Sequence, residues 1–237
     1  MSLSELVPPK KRLTISADVY EQFKELLMTG RMMPGEQLSL RTVAAALGVS
    51  VMPVREAMQR LVAEQALELS PNRAMRVPTM TVSQFREITS IRINLEGVAT
   101  ERAAKSLSEA ELRRIVQLNE DFFEEMASAS PNGARLITLN KEFHFAVYEG
   151  SRMPMLLQLI KALWVRIGPI LNHDLRAGSA RINERVAVSH HSQLVDALRR
   201  RDSEAARIAL QGDIDSAAQF IISAHVLVIA DSTNQST

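Results

Sequence analysis

The chain has 237 residues, 46% hydrophobic and 23% charged, which suffices for a packed core and excludes wholesale disorder. It contains no cysteine, which excludes disulfides, thiolate zinc sites, iron–sulfur clusters and cysteine nucleophiles. No apolar stretch approaches the roughly 20 residues that span a bilayer, and the N-terminus MSLSELVPPKKR has no apolar signal core. A cytoplasmic protein with no membrane partner is expected. The formal charge of +1 divides unevenly, with 10 Lys and Arg against 8 Asp and Glu in residues 1–80 and 18 against 19 thereafter. That small excess permits nucleic-acid binding by the first part.

Residues 1–12 hold two prolines and the run Lys10-Lys11-Arg12, show no periodicity, and read as a flexible arm. The spacing of Val19, Phe23, Leu26 and Leu27 predicts a helix over about 16–29, stopped by Gly30 and followed by a Pro34-Gly35 turn. A second helix is predicted over 40–47, ending at Gly48, where a tight turn needs a residue that tolerates positive φ. Ser50 is the predicted N-cap of a third helix running to about 65, with Pro53 tolerated in its first turn. Two strand-like pieces, 67–70 and 75–78, flank Pro71-Asn72-Arg73-Ala74 and predict a hairpin.

Everything after Met80 has a helical period. Six helices are expected, at about 83–106, 109–129, 133–150, 153–172, 179–200 and 203–229. Thr81-x-x-Gln84 and Ser108-x-x-Glu111 have capping-box spacing, and Asp202 is the predicted N-cap of the last helix. Short connections predict antiparallel packing. The expected fold is mostly α, with a winged helix-turn-helix over 13–80 and an antiparallel six-helix bundle over 83–229. The boundary falls near 78–83, and the polar end 231–237 is expected to fray.

A helix, a glycine turn, a second helix and a basic-tipped hairpin suit DNA, because the helix after the turn fits a major groove and the hairpin reaches the groove beside it. Arg41 opens the second helix, Arg55 lies in the first turns of the third, and Arg73 and Arg76 belong to the wing. The detailed string is more specific. Pro34-Gly35-Glu36-Gln37-Leu38, Leu47-Gly48-Val49-Ser50 and Pro53-Val54-Arg55-Glu56-Ala57-Met58-Gln59-Arg60-Leu61 resemble the GntR family of bacterial transcription regulators. The resemblance implies contacts to a double-stranded operator by Arg41, Ser50, Met52, the backbone at Pro53, and Arg55, with Asn72 and Arg73 of the wing near the minor groove. Val51, Met52 and Ala74 stand where the family usually has Arg, Thr and Gly.

In the second half, helical projection turns five polar side chains toward apolar faces. Arg92 lies among Phe85, Ile88, Leu95 and Ala99. Asn140 and His144 form an i, i+4 pair beside Leu136, Phe143 and Val147. His191 shares a stripe with Leu194, Val195 and Leu198, whereas His190 points about 100° away. Asp213 is ringed by Ala206, Ala209, Leu210, Ala217 and Phe220. Burying unpaired charge costs several kcal/mol, so these groups are expected to meet in one cavity. Asn140, His144, His191 and Asp213 together suit a divalent ion such as Zn²⁺, Ni²⁺, Mn²⁺ or Mg²⁺ with open coordination positions.

Arg92-x-x-Leu95-Glu96, Phe143-His144 and His191-x-x-Leu194-x-x-Ala197-Leu198, followed by Asp202-x-x-x-Ala206, resemble the FCD effector domain of the FadR-type branch. Six helices rather than seven resemble its VanR-like subgroup. The resemblance implies a metal held by Asn140, His144 and His191, with Asp213 where a third histidine is usual. It also implies an organic carboxylate effector paired to Arg92. The expected function is a homodimeric, metabolite-responsive transcription regulator on an inverted-repeat operator. Two other readings stay open on the residues alone, a metal-dependent enzyme using the same cavity and a constitutive DNA-binding protein whose cavity is structural.

Overall fold

The computed structural model describes residues 15–70, 74–172, 186–224 and 227–228. The predicted arm, the wing residues Asn72 and Arg73, His173 and the polar C-terminal end lie outside the described residues. The first unit is built from α1 (Ile15–Met28), β1 (Gln37–Leu38), α2 (Leu40–Leu47), α3 (Val51–Ala63), β2 (Glu68–Leu69) and β3 (Met75–Arg76). Val19, Tyr20, Phe23 and Leu27 recur on one face of α1 and pack against the buried Val54, Ala57, Met58 and Leu61 of α3. Each such aliphatic or aromatic side chain contributes about 1.5–3 kcal/mol by leaving water.

The expected hairpin is present as β2 and β3, and β1 adds a third strand to the wing. It is a three-stranded antiparallel sheet in the order β1-β3-β2, with Arg76 opposite Gln37 on one side and Glu68 on the other. A two-residue strand is too short to show alternation, so β1 left no periodic signal in the sequence. Arg76 pairs with Glu68 across the sheet through Nε at 2.8 Å and through Nη2, which removes it from the set of free wing cations.

The second unit holds α4 (Val82–Ser106), α5 (Glu109–Ala127), α6 (Gly133–Glu149), α7 (Pro154–Leu171), α8 (Val186–Arg199) and α9 (Ser203–Ser223). Thr81 and Ser108 close both predicted capping boxes, and Asp202 accepts from the Ala205 N–H. α4 packs along α9, α8 along α9, and α5 along α6, giving a bundle of six helices among the described residues. The last helix stops earlier than expected, at Ser223. Val228 instead donates its N–H to the Met80 carbonyl at 3.0 Å and bridges Thr81 in parallel, which ties the chain's return to the domain junction.

α7 departs from the expectation that no segment has membrane-crossing character, because its 18 residues reach that length and apolarity. Packing accounts for it. α7 lies against α1 on one side and α4 on another, and Ile160, Trp164, Val165 and Ile167 are buried there. The two units also meet through Asn172, whose side-chain N–H donates to the Met28 carbonyl at 2.9 Å, and through an ion pair of Lys141 with Glu25.

Candidate functional site

Two surfaces gather the residues singled out above. The first is the helix-turn-helix face. Gly48 adopts the left-handed φ of 66° that the turn requires, and its N–H reaches back to the Ala44 and Ala45 carbonyls. Ser50 sits at the N-cap of α3 with φ −72° and ψ 161°, yet its hydroxyl makes no cap bond. The reason is local. A capping hydroxyl bonds the N–H two or three residues on, and the third is Pro53, which has none. Ser39, Thr81 and Ser108 all cap an amide three residues on. The Ser50 hydroxyl is left pointing outward beside Met52, which is 59% exposed, and the exposed Arg55 one turn further along. Arg41 is exposed in the first turn of α2, and neither arginine forms an ion pair among the described residues.

The second is a cavity inside the bundle. Arg92, Asn140, His144, His191 and Asp213 are all buried, at 7% exposure or less. His144 Nε2 lies 3.2 Å from Asp213 Oδ2, and His191 Nε2 lies 3.8 Å from Asp213 Oδ1. One ligand atom from each of the three falls within 4.8 Å of the others. Three different helices supply them, α6, α8 and α9. Asn140 is buried one turn before His144 on α6.

A relay of hydrogen bonds fixes the His144 tautomer. The Tyr148 hydroxyl donates to Glu96 Oε2 and faces His144 Nδ1 at 3.2 Å. Burial first, and the Glu96 carboxylate next, push the Tyr148 phenol well above its ordinary pKa, so it remains a donor. Its one proton goes to Glu96, so the bond from histidine requires a proton on Nδ1. In the neutral form, with that proton on Nδ1, the Nε2 lone pair of His144 faces a carboxylate oxygen 3.2 Å away. Two acceptors at that distance need a cation or a shared proton between them. Two imidazoles and a carboxylate with a hydrogen-bonded outer shell are a donor set that fits a divalent metal with open positions.

Arg92 is not solitary. Its Nε and Nη2 donate to the two Glu96 oxygens at 2.6 and 3.3 Å, and its guanidinium lies 5.0 Å from the Trp164 ring. Burial works against the charge, but Glu96 outweighs it by charge and hydrogen bond and raises the Arg92 pKa above its ordinary value. Glu96, fully buried, also accepts from Trp164 Nε1 at 3.1 Å. Sequence reasoning missed Glu96, Tyr148 and Trp164 as site residues. Two of them had a signal, since Glu96 is four residues from Arg92 and Tyr148 four from His144 on the same stripes. His190 stays outside the cluster, its ring seated on Gly212 so closely that a Cβ there would be 2.7 Å from His190 Cε1.

Comparison with known proteins identifies this combination. The family described as bacterial regulatory proteins, gntR family, matches residues 15–77, and the FCD domain matches 87–216. The chain belongs to the GntR family, in its FCD-domain branch. This GntR-family chain is 34% identical to the HTH-type transcriptional regulator McbR of Escherichia coli K12 over 201 residues, 84% of the chain and 89% of McbR. The solved structure of E. coli McbR/YncC superposes with a TM-score of 0.82 at 30% identity, covering 90% of the chain and 100% of McbR. A protein of Paenarthrobacter nicotinovorans named as a D-xylose utilization operon transcriptional repressor is 30% identical across 84% of the chain and 85% of its own length. A GntR regulator from Rhodococcus sp. RHA1, at 20% identity and a TM-score of 0.71, shares the fold over 89% of the chain and 98% of its own. These relatives are transcription regulators, and the GntR-family chain is a metabolite-responsive transcription regulator and not an enzyme.

Proposed function

We propose that the regulator senses a small organic acid, bound beside a divalent metal in the buried cavity, and transmits its presence to an inverted-repeat operator as a homodimer. The observation that carries the reading is the His144–Asp213–His191 cluster joined through Tyr148 and Glu96 to Arg92. A divalent ion, Zn²⁺, Ni²⁺ or Mn²⁺, would be held by His144, His191 and Asp213, with the Asn140 amide oxygen as a fourth ligand, and would supply an anchor for a carboxylate. Glu96 covers the Nε–Nη2 edge of Arg92, which orients the remaining edge for a carboxylate oxygen. We read the chain as a member of the VanR-like subgroup, on six helices, α4–α9, among the described residues. We assign residues 1–12 to an arm, 13–80 to DNA binding, and 83–229 to effector binding and dimerisation.

On the DNA side, Arg41, Ser50, the Pro53 backbone and Arg55 contact the operator, Met52 offers an apolar contact to a thymine methyl group, and Asn72 and Arg73 add contacts near the minor groove. An exposed arginine in the opening turns of a recognition helix contributes about 1–3 kcal/mol to specific binding. Arg55→Ala is therefore expected to weaken operator binding by roughly 5- to 150-fold at unchanged thermal stability, measured by fluorescence anisotropy at fixed salt. Wild-type affinity in the folded variant would remove Arg55 from the interface.

The experiment that tests the proposal as a whole is elemental analysis and metal titration, followed by operator binding with a panel of organic acids. Tight binding of one metal per chain, and an acid that shifts operator affinity only in the metal-loaded protein, is the expected outcome. Absence of metal binding tighter than millimolar would reduce the cavity to a structural cluster.

A further inference from the structure

α7 touches both the buried network and the DNA-binding unit, and the contacts fall on one face. Trp164 donates to Glu96, and its ring centroid lies 5.7 Å from that of His144 and 5.2 Å from that of Phe145. One turn later Gly168 lies flush on the end of α1. A Cβ there would collide with the Leu27 carbonyl oxygen and stand 2.8 Å from Met28 Cα. One further turn brings Asn172, whose amide donates to the Met28 carbonyl and whose Cβ fills the space over Gly30. Positions 164, 168 and 172 are spaced four apart, so they stack on a single helix face. Gly30 holds a left-handed φ of 56°, and the chain leaves α1 there toward the helix-turn-helix.

Between the two contacts lies Pro169, inside the helix. It has no N–H to give the Val165 carbonyl, so the turn joining Trp164 to Gly168 and Asn172 lacks a helical bond and bends at lower cost than its neighbours. A rigid helix would carry a shift at Trp164 along its whole length. A proline-weakened turn lets the segment that bears on α1 move while the first half of α7 stays packed on α4.

We infer that the Trp164–Asn172 turn of α7 is the element that couples the buried cavity to the DNA-binding unit, with Trp164 reading the state of Glu96 and the Gly168–Asn172 face setting the seat of α1. The inference deepens the proposed function and rests on its reading that the cavity is the sensing site. A change in the Arg92–Glu96 pair alters the bond to Trp164, and that alters the close seat of α1. Because coupling free energy is reciprocal, a perturbation at either end must be felt at the other.

Trp164 is the chain's one tryptophan, so its emission reports the cavity end without a label. The test uses the full chain freed of metal by chelator, which separates it from the metal reading. Gly168→Ala inserts the missing Cβ at the α1 seat, and Asn172→Ala removes the bond to Met28 without adding an atom, so one variant remains informative if the other fails to fold. Both are expected to shift Trp164 emission to longer wavelength. In the opposite direction, Trp164→Phe keeps the ring and loses the donor to Glu96. It is expected to speed amide hydrogen exchange at residues 25–31 by at least about fivefold, the lower end of usual coupling strengths. Folded seat variants with wild-type emission, or Trp164→Phe with wild-type protection at 25–31, would overturn the inference. A response in one direction alone would also overturn it. A protein that binds no metal but responds in both directions would sink the metal reading and leave this coupling standing.

Discussion

His144→Ala and His191→Ala are expected to abolish metal binding, and with it any effector response. Each removes one of three ligand atoms that lie within 4.8 Å of one another. Losing an outer partner of a metal ligand typically costs about 10- to 100-fold in affinity, and losing the ligand itself costs more. Tyr148→Phe removes such an outer partner, the hydroxyl facing His144 Nδ1, and is expected to weaken the metal by about tenfold. His190→Ala serves as the control, since its ring packs on Gly212 away from the cluster. Arg92→Ala is expected to keep the metal and lose the effector. It also strands the buried Glu96 carboxylate without its main partner, which costs about 3–5 kcal/mol, so its stability must be measured beside its binding. Titration calorimetry of the five variants checks the order. Wild-type metal affinity in folded His191→Ala would contradict the site.

The second large effect concerns assembly. α4 and α7 present Ile91, Val98, Met155 and Leu159 to solvent, with Met155 80% and Leu159 56% exposed. Val98 shares one groove with Met153, the residue before α7, and with the charged Glu101, Arg102 and Lys105. Exposed apolar side chains on two packed helices suit an interface, and a twofold copy of the same surface would cover them with matching chemistry. Leu159→Glu puts a charge in the middle of that face and is expected to convert the dimer into a monomer by sedimentation at micromolar concentration. Operator affinity should then fall by orders of magnitude, because a single winged helix reads only a half-site. A Leu159→Glu protein that sediments and binds as wild type would move the interface elsewhere.

Much of the fold was legible because its signals are local. Gly48, the Thr81 and Ser108 capping boxes and the Asp202 cap are each written within four residues, and all stand as expected. The failures have a different origin. β1 and the Val228 bridge depend on partners distant in sequence, Arg76 and Thr81, and two-residue pairings carry no periodicity. Ser50 does occupy the N-cap, but Pro53 takes away the amide its hydroxyl would bind. In the cavity, projection onto helix faces picked out buried polar groups without revealing which of them pair. Arg92 was assigned an effector carboxylate as its partner, whereas Glu96, one turn on, occupies the Nε–Nη2 edge of its guanidinium. Trp164 was invisible as a site residue because an indole in a helix reads as core, and only its hydrogen bond to Glu96 distinguishes it.

If the cavity governs the DNA-reading face, operator binding must respond to it. The direct test compares wild type and His191→Ala, each with and without metal and the acid that proves active, at one salt concentration. The acid is expected to shift wild-type affinity by roughly 5- to 150-fold and to leave His191→Ala unchanged. An equal shift in both proteins would contradict it.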